Sequence, residues 1–140
     1  EEKEAVWEDE SSIPDSIREK VVFKHLSGPM FFGFATHFKN LLSDLGDLHV
    51  VVIRLEKVPF IDQSGVYALE ASLEDLRNQG VIVVITGPNE QVCGKMRDMN
   101  IIPQLVSENH VFKDFNSCKL WLKEVLTEQG RLDAELALLN

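Results

Sequence analysis

Asp62, Gln63, Ser64 and Gly65 stand where an apolar run, VVVIRLEKVPFI, gives way to residues spaced for a helix. An acid two residues before a serine at such a place suits three roles: a nucleophile, a phosphate acceptor or a helix cap. A strand-to-helix turn aims unpaired backbone N–H groups outward, and the helix dipole favours negative charge at the same spot. Asp62 is therefore expected to cap the helix, a contribution of about 1 kcal/mol. With the cap taken, the Ser64 hydroxyl in the first turn is left to face solvent. A phosphate on it would bring about −1.5 to −2 charges to a helix end that accepts them, while pushing against Asp62.

The surroundings argue against catalysis. A nucleophile elbow needs glycine on both sides of its serine and a histidine base, and His25, His37, His49 and His110 fall in or beside other elements. The glycine-bearing stretches GPMFFG and TGPNEQVCGK lack the Gly-Lys-Ser/Thr ending of a phosphate loop. Cys93 and Cys118 share no CxxC spacing and no histidine cluster, so they read as free thiols of a reducing compartment, with no metal site and no disulfide. Fourteen Lys and Arg against 23 Asp and Glu leave a net charge of −9, a field that repels nucleic acid and anionic lipid. The apolar cluster Met30, Phe31, Phe32 and Phe34 exceeds what one strand-to-helix corner needs. Two or three of them, Phe31 and Phe34 foremost, would seal a sheet's end, and any left outside, with Met30, Phe31 and Phe32 as the candidates, would form a contact surface.

The elements that must position these residues follow from periodicity. Residues 1–19 form an acidic segment broken by Pro14, with a short edge strand expected near Ala5–Glu8. KVVFKHL, residues 20–26, is a strand stopped by Ser27-Gly28-Pro29. Phe34, Phe38, Leu41, Leu42 and Leu45 make the single stripe of an amphipathic helix. LHVVVIRL is apolar on both faces, as a central strand covered by helices should be. Val66, Leu69, Leu73 and Leu76 continue at helical spacing to Asn78-Gln79-Gly80, and VIVVIT follows as a second central strand. Strand, helix, strand in that order predicts a parallel pair with a right-handed crossover. A shorter helix carries Val92, Met96 and Met99 inward, a short strand lies near Val111–Phe112, and Asp114 or Asn116 caps a last helix with Cys118, Trp121, Leu122 and Val125 on its stripe. The expected class is α/β: a mixed sheet of four or five strands with about four helices, over one domain at 20–129 followed by an extension at 130–140. The longest apolar runs fall far below the roughly 20 residues of a membrane span. The opening EEKEAVWEDE, with neither Met nor a leader-like segment, reads as a cut through a longer protein.

The ordered stretches VVFKHLSGPMFFG, VPFID, DQSGV, RNQGVIVVITG and HVFKDF resemble the STAS domain shared by sulphate transporters and anti-sigma factor antagonists. The likeness extends over about residues 20 to 127, and GPMFFG with VPFIDQSG is most similar to the cytoplasmic C-terminal domain of SulP-family anion transporters. The resemblance implies the STAS fold and a non-catalytic regulatory domain, without cofactor, attached on the cytoplasmic side to a membrane domain for sulphate, bicarbonate or a related anion. It also implies that Ser64, with Asp62 and Gly65 in the matching places, is the serine phosphorylated in the free-standing antagonists. Weak nucleotide binding, ascribed to some members, would fall here at Asp62–Gly65 and at Thr86, Gly87 and Asn89. Partners would be the membrane domain of the same polypeptide, a second STAS domain or a cytoplasmic protein, and the alternative reading is a free-standing phospho-switch.

Overall fold

The β-branched runs of this chain line up side by side. In a computed structural model, which describes residues 6–29 and 50–126, they form four strands: β1 (Val21–Ser27), β2 (Val50–Lys57), β3 (Ile82–Thr86) and β4 (Val111–Phe112). The strands pair in the order β1-β2-β3-β4, and every pairing is parallel. In β2, Val50 to Leu55 are all buried, as a central strand covered on both faces requires.

Among the described residues five α-helices join them: α1 (Asp15–Arg18), α2 (Gln63–Asn78), α3 (Glu90–Asp98), α4 (Ile101–Gln104) and α5 (Phe115–Leu126). One face of the sheet, carrying Val51, Ile53, Leu55, Val83 and Ile85, packs with Val66, Leu69, Leu73 and Leu76 of α2 and Val92 and Met96 of α3. The opposite face, with Val50, Val52 and Val84, is covered by Ile13, Ile17 and the Phe115, Cys118 and Leu122 stripe of α5. Alternate residues of each strand thus enter two different cores. Helix α2 stops where predicted: Gly80 has φ +79°, the Gly80 N–H donates to Arg77 O and the Val81 N–H to Leu76 O. That pair of bonds is the Schellman ending, which requires a residue able to adopt the left-handed conformation.

The structure departs from expectation at the N-terminal segment. Val6 and Trp7 belong to no strand, and Glu8–Glu10 form a 3-10 turn. The Glu10 carboxylate accepts from the Trp7 N–H at 3.2 Å, which curls the chain where an edge strand would be extended. The antiparallel member implied by a mixed sheet is therefore not found among the described residues. The amphipathic helix expected from Phe34 to Leu45, the Met30, Phe31 and Phe32 corner and residues 130–140 lie outside the described residues. Asp114 is the cap of α5, its Oδ1 accepting from the Ser117 N–H at 2.8 Å. That bond and its neighbours hold the carboxyl below its ordinary pKa.

Candidate interaction site at the end of the sheet

Strands β2 and β3 run parallel and deliver their following loops to the same edge of the sheet. After β2, the backbone passes Pro59 and Phe60 to Asp62, which stands in extended conformation as the N-cap of α2. Its Oδ1 accepts from the Gly65 N–H at 2.7 Å. After β3, Asn89 caps α3 in the same manner, its Oδ1 accepting from the Val92 N–H at 2.9 Å.

The two loops are clasped to each other. The Asn89 amide donates to Pro59 O at 3.0 Å. Gln91 makes a two-way bond with the backbone of Ile61, donating to its carbonyl at 2.8 Å and accepting from its N–H at 3.0 Å. One side chain thereby satisfies both polar groups of a buried residue, and the approach to α2 is fixed by hydrogen bonds.

Ser64, in the first turn of α2, is half-buried, and among the described residues its hydroxyl has no hydrogen-bond partner. Gln63 beside it reaches Met99 Sδ at 3.5 Å. Phe60, 43% exposed, precedes the turn, and Tyr67, 55% exposed, lies three residues beyond Ser64, which puts it on the same side of the helix. The turn is thus a filled cap with an adjacent hydroxyl and two partly exposed aromatic side chains.

Thr86 and Gly87 belong elsewhere. Thr86 is fully buried; its hydroxyl donates to Glu56 Oε1 at 3.0 Å and accepts from Arg54 Nε at 3.1 Å. Gly87 has φ +64°, its N–H is bonded to Phe112 O, and a Cβ there would stand 2.2 Å from Cγ of Glu56. The Thr86 hydroxyl, the Gly87 N–H and the Asn89 side chain are therefore engaged within the fold, and of the three Asn89 is the one that reaches the loop leading to the Asp62–Gly65 turn, at Pro59 O.

Sequence reasoning missed the charged cluster that holds Thr86. Arg54 in β2 is 1% exposed. Its Nη1 donates to Asp9 Oδ1 and Glu10 Oε2, both at 2.8 Å, and its Nη2 to Asp9 Oδ2 at 2.9 Å and Glu56 Oε2 at 2.7 Å. The guanidinium lies 3.8 Å from the centre of the Phe115 ring and 4.6 Å from that of Trp7. Burial pulls the pKa of Arg54 down, but the hydrogen bonds of Asp9, Glu56 and Glu10 outweigh it and raise the pKa above its ordinary value. The bond from Arg54 holds the Asp9 carboxyl below its own. His25 joins through Glu10, Nε2 to Oε2 at 2.6 Å. The available signal was one arginine inside a strand otherwise apolar on both faces, in a chain that opens with acids.

Neither cysteine is disulfide-bonded: Cys93 is half-buried, and burial pushes the Cys118 thiol up to about 12, which keeps it protonated and unreactive. Among the described residues no group of His, Cys, Asp and Glu is arranged to hold a metal ion, and no helix is long and apolar enough to cross a membrane.

The parallel strands with helices on both faces agree with comparisons to known proteins. The family model of the STAS domain matches residues 12–117, and the chain belongs to that family. It is similar to a sulfate transporter family protein from Wolinella succinogenes, at 26% identity and a TM-score of 0.72, over 86% of this chain and 94% of that one. It is similar also to the STAS domain of a SulP transporter from Vibrio cholerae, at 29% identity and a TM-score of 0.66, over 84% and 87%. The bicarbonate transporter BicA of Synechocystis sp. is 25% identical over 116 residues, 83% of this chain. The chain spans 20% of that relative's length.

Proposed function

We propose that this chain is the regulatory and interaction domain of a SulP-family anion transporter, joined to a membrane domain that moves sulphate, bicarbonate or a related anion. The observation that carries the reading is the likeness to a SulP transporter STAS domain over most of both chains. In this reading the domain lies on the cytoplasmic face, performs no chemistry and acts by contact with the membrane domain, a second STAS domain or a cytoplasmic protein.

The contact surface is the turn at Asp62–Gly65 with Phe60 and Tyr67 beside it, and Ser64 is its phosphorylation switch. Its geometry supports the role because Asp62 already serves the cap, and among the described residues the Ser64 hydroxyl has no hydrogen-bond partner. A phosphate there gains from the helix N-terminus and is opposed by Asp62, so the fold tolerates it while a docked partner meets a new dianion. Nothing in the turn resembles a dedicated nucleotide cradle, and a weakly held nucleotide would depend on the same helix end.

The test is to place Ser64→Asp and Ser64→Ala in the full transporter and measure anion uptake and the association of its parts. Ser64→Asp is expected to keep its fold and change association, with Ser64→Ala behaving as the unmodified protein. Equal association in both variants would remove the switch from the proposal.

A further inference from the structure

The segment before α1 touches the sheet in an unusual way. Its backbone hydrogen bonds are all local among the described residues: Glu10 N–H to Trp7 O, Ser11 N–H to Glu8 O, Ile13 N–H to Glu10 O. Of residues 6–12 only Glu10 is buried. What joins this stretch to the rest is charge and one aromatic ring. Asp9 and Glu10 bind Arg54, Glu10 also meets His25 Nε2 of β1 at 2.6 Å, and Arg18 donates to the Glu10 carbonyl. Ser12 meets Lys119 at 3.2 Å, and the Trp7 ring lies against Arg54, Lys57 and His25.

The sheet holds its own substitute partners for Arg54. Glu56 receives bonds from Nε and Nη2, and Thr86 receives one from Nε, all from within β2 and β3. A buried guanidinium that lost its only carboxylate would be costly. Arg54 would not lose its only one, because Glu56 remains with it, and Gly87 leaves the space that Glu56 occupies.

We propose that residues 7–12 are a releasable strap, latched to the sheet at Arg54 by the carboxylates of Asp9 and Glu10, which opens while the sheet and its helices stay folded. Arg54 is the catch, and Glu56 with Thr86 holds it when the strap is away. The next firm anchor is Ile13, 5% exposed in the second core, so the hinge falls at Ser11–Ser12. Arg54 lies on the strand that leads to Asp62 and Ser64, so strap and turn share β2. The inference does not depend on the transporter reading, since it concerns only contacts within this chain.

The experiment uses the 140-residue chain with Trp121→Phe, leaving Trp7 as its single tryptophan. Acrylamide quenching of Trp7 is compared with and without Asp9→Asn and Glu10→Gln, alongside far-ultraviolet circular dichroism. The strap predicts a rise of about threefold or more in the quenching constant of the neutralised protein, with unchanged dichroism, as expected for a local opening. In the Trp121→Phe protein itself, the Trp7 signal should change at lower urea than the dichroism. An unchanged quenching constant, loss of dichroism in the neutralised protein, or coincident urea transitions would each overturn the proposal.

Discussion

At the scale of single residues, the fold depends on a few side chains for which no other type would serve. Gly87 combines a positive φ with contact against Glu56, so Gly87→Ala should cost about 1–3 kcal/mol in urea denaturation and displace the Glu56 carboxylate from Arg54. Asp62→Ala removes the acceptor for the Gly65 N–H and should cost about 1 kcal/mol without disturbing the sheet. Asp9 sets a pH dependence. Its carboxyl is held below the ordinary value by Arg54, so its stabilisation is present above about pH 4 and is lost as pH falls through the lower folded value. Trp7 quenching in the Trp121→Phe protein should therefore rise below about pH 4, ahead of any loss of helix. Quenching that stays flat until the whole chain unfolds would contradict that link. Of these residues Asp62 was legible in advance, because a cap declares itself by its place before an apolar helical stripe. Arg54 was not, because Asp9 and Glu10 lie 45 and 44 residues away in sequence and an isolated arginine in a strand carries no mark of what will meet it.

At the scale of elements, hydrophobic period decided most of the outcome. The stripe Val66, Leu69, Leu73 and Leu76 gave α2 its buried face, and the continuous runs in β2 and β3 gave central strands, because both signals are local and survive packing. The N-terminal edge strand failed for a reason only partly local: the Glu10 carboxylate accepts from the Trp7 N–H, and Asp9 and Glu10 are drawn onto Arg54. Thr86 and Asn89 illustrate the same limit. Three residues apart, they serve different structures, one the charged cluster and the other the clasp of the two loops. The clasp makes its own prediction. Gln91→Ala leaves the N–H and carbonyl of Ile61 without their side-chain partner and should cost about 1–3 kcal/mol, loosening the approach to α2 more than α2 itself. Amide exchange that quickens at Ile61 while Leu69 and Leu73 stay protected would agree; uniform quickening would not.

At the scale of the whole molecule, two cores pack on the faces of the parallel sheet, and the STAS membership gives the loops at its end their proposed role in contact. In the proposed transporter reading, the domain would act on transport only through what it touches. The most direct measurement of that claim is to sequence the gene upstream of the codon for Glu1 and examine its hydropathy. A transporter domain requires about ten or more apolar spans of roughly 20 residues in the same open reading frame. A start codon immediately before Glu1, with no such spans, would contradict the transporter reading and leave a free-standing protein whose Ser64 answers to a soluble partner.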